Sequence, residues 1–229
     1  DLSKLSWALI GGGEGSQVGF AHRAAAQLDN NFSLVAGALD VNPDSARAFG
    51  ISLGLEAARS YGSWRDMLDA EKNVEGDQRI DLVTVATPNS THFEITKEFL
   101  EAGFHVLCEK PLTMTVEEAQ ALVLIAKASN RICAVNYGYT GYPLVRQMRS
   151  MVLAGELGKI RLVVAEFAGG FMADSADAEN PRVKWRFNSK HSGMAAITVD
   201  CGIHALNMAC FITNEKVVEV SSDFASGIK

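Results

Sequence analysis

The chain has 229 residues, 48% hydrophobic and 21% charged, enough apolar material for one large domain or two ordinary ones. Its net charge of −6, with no basic stripe interleaved with aromatics, argues against a nucleic-acid partner, because phosphate binding needs a basic face. No run approaches the ~18 apolar residues of a membrane span, and the opening DLSKLSWALIGGG lacks the basic-then-apolar order of a signal peptide; the four cysteines suggest no disulfide framework, so a reducing, cytoplasmic setting is expected.

WALIG (7–11) is a short apolar run ending in glycines and reads as a buried strand. GFAHRAAAQL (19–28) is helical in composition, and FSLVAGALD (32–40) is a second strand. The next helix begins near Pro43, whose missing N–H costs nothing at a helix start. SWRDMLDA is a short helix capped by Ser63. RIDLVTVATP (79–88) is a third strand, and STHFEITKEFLEAG is a helix closed by Gly103. FHVLCEKP follows as a strand. TVEEAQALVLIAKASN (115–130) is a helix opened by a Thr115/Glu118 capping box, and RICAVNY is one more strand. The strands are apolar throughout rather than alternating, which predicts a parallel sheet with helices on both faces and right-handed crossovers.

The pattern changes near residue 136. YPLVRQMRSMVLAGELG predicts a long helix closed by glycine, and KIRLVVAEFAGGF a longer strand. Residues 172–193 are polar and irregular; AITVDCGIHALNMACFIT then reads as a helix and KVVEVSSDF as a strand. The expected organisation is a domain over 1–135 and the first part of a second over 136–229. That second part ends with too little chain to finish a sheet, so the second domain is expected to be incomplete in this sequence. Cysteines at 108, 133, 201 and 210 form no CxxC pair; neither a zinc site nor a disulfide framework is expected.

Four stretches carry chemistry. In IGGGEGSQVGFAHR, glycines at 11, 12, 13, 15 and 19 follow the first strand. Such a turn lets the backbone approach a pyrophosphate, and the helix N-terminus behind it favours negative charge. A strict G-x-G-x-x-G is not met from Gly11, because position 16 is serine; a plain flexible turn also fits. Asp40 ends the second strand, where an acid can bond adenosine ribose hydroxyls and repel a 2′-phosphate, favouring NAD over NADP. Capping the turn before Pro43 is its other reading. ATPNSTH (86–92) lies at a strand's C-terminal end, where Thr87, Pro88 and Asn89 can face a nicotinamide ribose or simply start a helix. In CEKP, Lys110 can stabilise negative charge on a substrate oxygen and Glu109 can hold a ribose hydroxyl; a solvated Glu–Lys turn accounts for the residue types as well. A cis Lys110–Pro111 peptide, accessible before proline, would aim the lysine inward. In DCGIH, Asp200 and His204 share a helix face, as a general base and its carboxylate would. A helix cap and a half-buried histidine are the alternative, and no further metal ligands have suitable spacing.

Taken in order, GGGEGSQVGFAHR, ALDVNP, YGSW, ATPNSTH, AGFHVLCEKPL, GELGKI, WRF and DCGIH resemble the Gfo/Idh/MocA family of NAD(P)-dependent oxidoreductases along nearly the whole chain. The resemblance implies a Rossmann domain followed by an α/β domain with an open, mainly antiparallel sheet that often forms the oligomer interface, here a homodimer or homotetramer. It implies catalytic roles for Lys110, Asp200 and His204. It implies a cofactor set of Gly11, Gly13, Ser16, Gln17, Val18, Asp40, Thr87, Pro88, Asn89, His92, Glu109 and Lys110, with NAD as cofactor, no metal, and a sugar, inositol or related polyol as substrate. Three features depart from the family pattern: the lengthened glycine loop with Ser16, VNYGYTGYP in place of an arginine-bearing stretch, and Asn207 where an acid is frequent. A non-catalytic NAD-responsive sensor and an NAD-dependent glycoside hydrolase are the other activities the fold serves.

Overall fold

The computed structural model describes residues 4–168, 179–180, 184–193 and 198–224. The chain divides into two units, Asp1–Asn136 and Tyr137–Lys229. In the first, five parallel strands stand in the order β2-β1-β3-β4-β5: β1 Leu5–Gly11, β2 Phe32–Ala38, β3 Leu82–Ala86, β4 His105–Glu109 and β5 Cys133–Asn136. The order reverses at β1, whose neighbours are β2 on one side and β3 on the other. That reversal is a topological switch point, where the loops leaving β1 and β3 diverge and open a crevice.

The helices are α1 Gln17–Leu28, α2 Pro43–Ser52, α3 Trp64–Glu71, α4 His92–Glu101 and α5 Val116–Ser129. Their ends follow local chemistry. Ser63 Oγ accepts from Asp66 N, Thr115 and Glu118 form the reciprocal capping box, and Gly103 follows α4 at φ +85°. Several boundaries move by a few residues from the sequence reading, two of them for a visible local reason. The α1 helix starts at Gln17 rather than 19, because Ser16 caps it by accepting from Gly19 N at 3.0 Å. The β3 strand starts at Leu82 rather than 79, because Arg79 leaves the ladder and donates to the Val74 and Gly103 carbonyls.

The core is the sheet's apolar interior: Ala8, Ile10, Val83, Val85, Val106 and Cys108 under Ile95, Phe99, Leu100 and Leu122. Cys108 is fully buried, and burial pushes its thiol up to about 12. On the other face Trp7, Leu9 and Leu39 cluster, with Trp7 Nε1 donating to buried Thr84 Oγ1 at 2.8 Å.

The second unit contains α6 Pro143–Leu153, a short α7 Ser189–Ser192, a π-helical turn Thr198–Gly202 and α8 Ile203–Thr213. Gly155, at φ +76°, follows α6. Arg149 pins α6 to α8: its guanidinium lies 4.8 Å from the Phe211 ring centroid and donates to the Phe211 carbonyl and to Asn214 Oδ1. The strands expected over 159–171 and 216–224 are not found among the described residues, and 169–171 lie outside them. Apolar patterning prepares a strand, but only a hydrogen-bonded neighbour makes one, and no ladder forms here among the described residues. Residues 196–197, expected to open the DCGIH helix, also lie outside the described residues.

Candidate active site

At the C-terminal ends of the strands, the glycine loop packs tightly. A Cβ on Gly11, at φ +77°, would sit 2.5 Å from the Ala86 carbonyl oxygen; one on Gly19 would sit 2.1 Å from the Gly12 carbonyl oxygen. Side chains are therefore excluded where α1 meets β1 and β3. Gly15, at φ +75°, meets nothing within 4 Å and forms the open tip. Gln17 and Val18 are exposed on the first turn of α1, the positive end of a twelve-residue helix. Ser16 spends its hydroxyl on the cap, which explains a serine where the glycine pattern breaks. Arg23 Nη1 donates to the Gly12 carbonyl at 2.7 Å and braces the loop from behind.

Asp40 does two things. Its Oδ1 accepts from Asn42 N at 2.8 Å, the turn-capping role, while Oδ2 lies 3.0 Å from where a Gly13 Cβ would be. One carboxylate oxygen thus borders the glycine loop. After β3, Thr91 Oγ1 donates within the 87–91 turn, contacting Thr87 Oγ1 and the Pro88 carbonyl, each at 2.8 Å. Asn89 is buried. His92 is fully buried, its Nδ1 2.7 Å from the Pro111 carbonyl and its Nε2 2.9 Å from the Thr87 carbonyl. Burial holds the imidazole below the usual histidine value against the pull of those two carbonyls. Its side chain is therefore inside the protein and ties the β3 and β4 loops together.

Glu109 ends β4 and is 13% exposed. Its Oε1 meets His22 Nε2 at 2.8 Å and accepts from Asn136 Nδ2 at 2.6 Å; its Oε2 accepts from Lys110 N at 3.2 Å. Burial pushes the carboxyl up, but the bonds from His22 and Asn136 outweigh it and hold Glu109 below the usual carboxylate value. Lys110 stands at the tip of β4, half-buried, and the Lys110–Pro111 peptide is cis. The strand ends thus gather a tightly packed glycine turn, one carboxylate at each of β2 and β4, and an ammonium.

In the second unit, His204 opens α8 inside an aromatic cluster. Its ring is 4.6 Å from Tyr139 edge-to-face and 5.8 Å from Phe167 in a stacked arrangement. An apolar groove of about 630 Å³ runs from Tyr139 and His204 along Met148, Met208 and Ile212. Asp200, in the π turn, accepts from Arg186 Nε at 2.6 Å. Sequence reasoning missed Arg186, His22 and Asn136. WRF and VNY were visible only as parts of longer motifs, and His22 lies 87 positions from its partner, so no local spacing marks the pair. Among the described residues no group of three or more His, Cys, Asp or Glu could hold a metal ion, and no helix is long and apolar enough to cross a membrane.

Comparisons with known proteins agree with this layout. Residues 5–137 match the family model described as an oxidoreductase family with an NAD-binding Rossmann fold, and residues 145–229 match the Gfo/Idh/MocA C-terminal domain. An uncharacterized oxidoreductase of Bacillus subtilis is 39% identical over 223 residues, 96% of this chain and 56% of that protein. Levoglucosan dehydrogenase of Pseudarthrobacter phenanthrenivorans is 34% identical over 93% of this chain and 52% of its own length. A crystal structure of an inositol dehydrogenase homolog from Azotobacter vinelandii, complexed with NAD+, superposes with a TM-score of 0.88 at 43% identity, covering 93% of this chain and 54% of that one. The same homolog complexed with NADH and myo-inositol gives 0.84 at 44% identity, over 93% and 53%. The chain spans about half the length of the curated relatives it matches. With both of its parts matched to the corresponding family models, the chain belongs to the Gfo/Idh/MocA oxidoreductase family.

Proposed function

We propose that the complete protein is an NAD-dependent dehydrogenase that oxidises a CH–OH group of a sugar-like polyol. The observation that carries this reading is the 43% identity and 0.88 TM-score to a homolog whose structure holds NAD+; that homolog also binds myo-inositol, and a second relative is named for levoglucosan. The residues of this chain fit the cofactor. The glycine turn leaves no room for side chains beside the α1 N-terminus, the arrangement a pyrophosphate requires. Asp40 suits the adenosine ribose hydroxyls and opposes a 2′-phosphate, favouring NAD over NADP. Glu109 suits the ribose next to the nicotinamide, beside Thr87, Pro88 and Asn89.

Bound NAD supplies the hydride acceptor. In this reading His204 takes the hydroxyl proton, as an imidazole can near neutral pH. Lys110 stabilises the negative charge that builds on the same oxygen. Asp200, held by Arg186, orients the imidazole or bonds a neighbouring substrate hydroxyl. The test is NADH formation by the complete protein across inositols, aldoses and amino sugars. Net NADH with at least one polyol is expected. A sensor would form none, and a hydrolase would release sugar while returning its NAD+; either result contradicts the proposal.

A further inference from the structure

We propose that His22 and Asn136 are positioning residues for Glu109, fixing one carboxylate oxygen so that the other is presented to the ribose beside the nicotinamide. This rests on the dehydrogenase reading above. The carboxylate is an acceptor only, so His22 Nε2 must carry the hydrogen in its 2.8 Å contact with Oε1. Asn136 Nδ2 gives Oε1 a second donor at 2.6 Å. Oε1 is then saturated, whereas Oε2 holds one longer bond, to Lys110 N at 3.2 Å, and keeps acceptor capacity for a hydroxyl.

The two donors come from two different elements packed around the end of β4. His22 lies on α1 and Asn136 on β5, so the carboxylate cannot rotate about its last bonds without breaking one of them. With side-chain exposures of 10% for His22 and 13% for Glu109, water can replace those donors only in part. They also keep the carboxyl ionised despite burial, and the charged form is the stronger acceptor for hydroxyls. The next residue along α1, Arg23, holds the Gly12 carbonyl of the glycine loop. Two consecutive side chains of one helix therefore brace both the phosphate turn and the ribose carboxylate.

The test is calorimetric binding of NAD+, ADP-ribose and ADP to the complete protein. ADP-ribose keeps the second ribose; ADP lacks it. His22→Ala should weaken NAD+ and ADP-ribose by about tenfold, the scale of one lost bond to a charged group, and leave ADP within about twofold. His22→Gln, whose amide can still donate, should restore most of the loss. Asn136→Ala should show the same ligand pattern and stands in for His22→Ala should that variant fail to fold. Combining His22→Ala with Glu109→Ala should cost no more than Glu109→Ala alone, because both act on one contact. Equal weakening of all three ligands, no weakening of any, or no recovery in His22→Gln would overturn the proposal. Failure of the unmodified protein to bind NAD+ would instead refute the dehydrogenase reading.

Discussion

His92 and Pro111 are joined by a 2.7 Å contact between the imidazole Nδ1 and the Pro111 carbonyl, inside a ring that is fully buried. Because Nε2 meets the Thr87 carbonyl at 2.9 Å, one side chain spans the turns that follow β3 and β4. His92→Ala removes the bridge, leaves a cavity and strands the carbonyl to which the neutral ring donates. The expected loss is about 2–4 kcal/mol of unfolding free energy, with weaker NAD+ binding in whatever protein remains folded. Denaturant midpoints check the first effect; a change below ~0.5 kcal/mol, the range of ordinary surface substitutions, would contradict the bridging role.

Gly19 packs where a Cβ would meet backbone at 2.1 Å, with three Gly12 backbone atoms within 2.5 Å. Backbone cannot yield as a side chain can, so Gly19→Ala should push α1 off the loop and abolish NAD+ binding or folding. Gly15→Ala meets no neighbour and pays only for its φ of +75°, roughly 1–2 kcal/mol. Thermal melts and NAD+ titrations of the two variants should differ sharply. Equal behaviour would show that the loop tolerates a wider gap.

Glu109 carries a pH signature. Its folded-state value lies below the ordinary 4.5, so its contribution to stability is fully present above that pH and is lost as pH falls through the folded value. Unfolding measured from pH 7 to pH 3 should therefore decline more steeply in the unmodified protein than in Glu109→Gln below about pH 4.5. Parallel curves would mean that the His22 and Asn136 bonds do not favour the ionised form.

Asp40 separates charge from turn geometry. Asp40→Asn retains an oxygen for the Asn42 N–H but removes the negative charge beside the glycine loop. The ratio of NAD+ to NADP+ affinity should move toward NADP+ by about tenfold, ~1.4 kcal/mol. An unchanged ratio would place the discrimination elsewhere.

Much of the first unit is written in local signals. The five strands are mainly apolar without a polar–apolar alternation because both sheet faces are covered, and Ser63, Thr115, Glu118 and Gly103 mark helix ends by chemistry that acts within a few residues. The glycine loop and the CEKP turn could be placed at strand ends for the same reason. What stayed hidden is non-local. The His22–Glu109–Asn136 cluster joins residues 87 and 27 positions apart, and Arg186–Asp200 joins two motifs that spacing alone does not relate. His92 sits in ATPNSTH beside residues that border the crevice, but period and motif cannot say that its ring turns inward. The runs over 159–171 and 216–224 show the converse: strand-like composition without a ladder among the described residues.

In the proposed reaction Lys110 acts on the substrate oxygen while the rest of the strand-end cluster holds the cofactor. Lys110→Met keeps the side chain's length and removes its charge. In the complete protein, with a polyol that supports NADH formation, NAD+ affinity should stay within a few-fold of the unmodified protein and turnover should fall by about 10²–10³, the cost of removing one group that stabilises developing negative charge on oxygen. Full turnover with NAD+ still bound would contradict it.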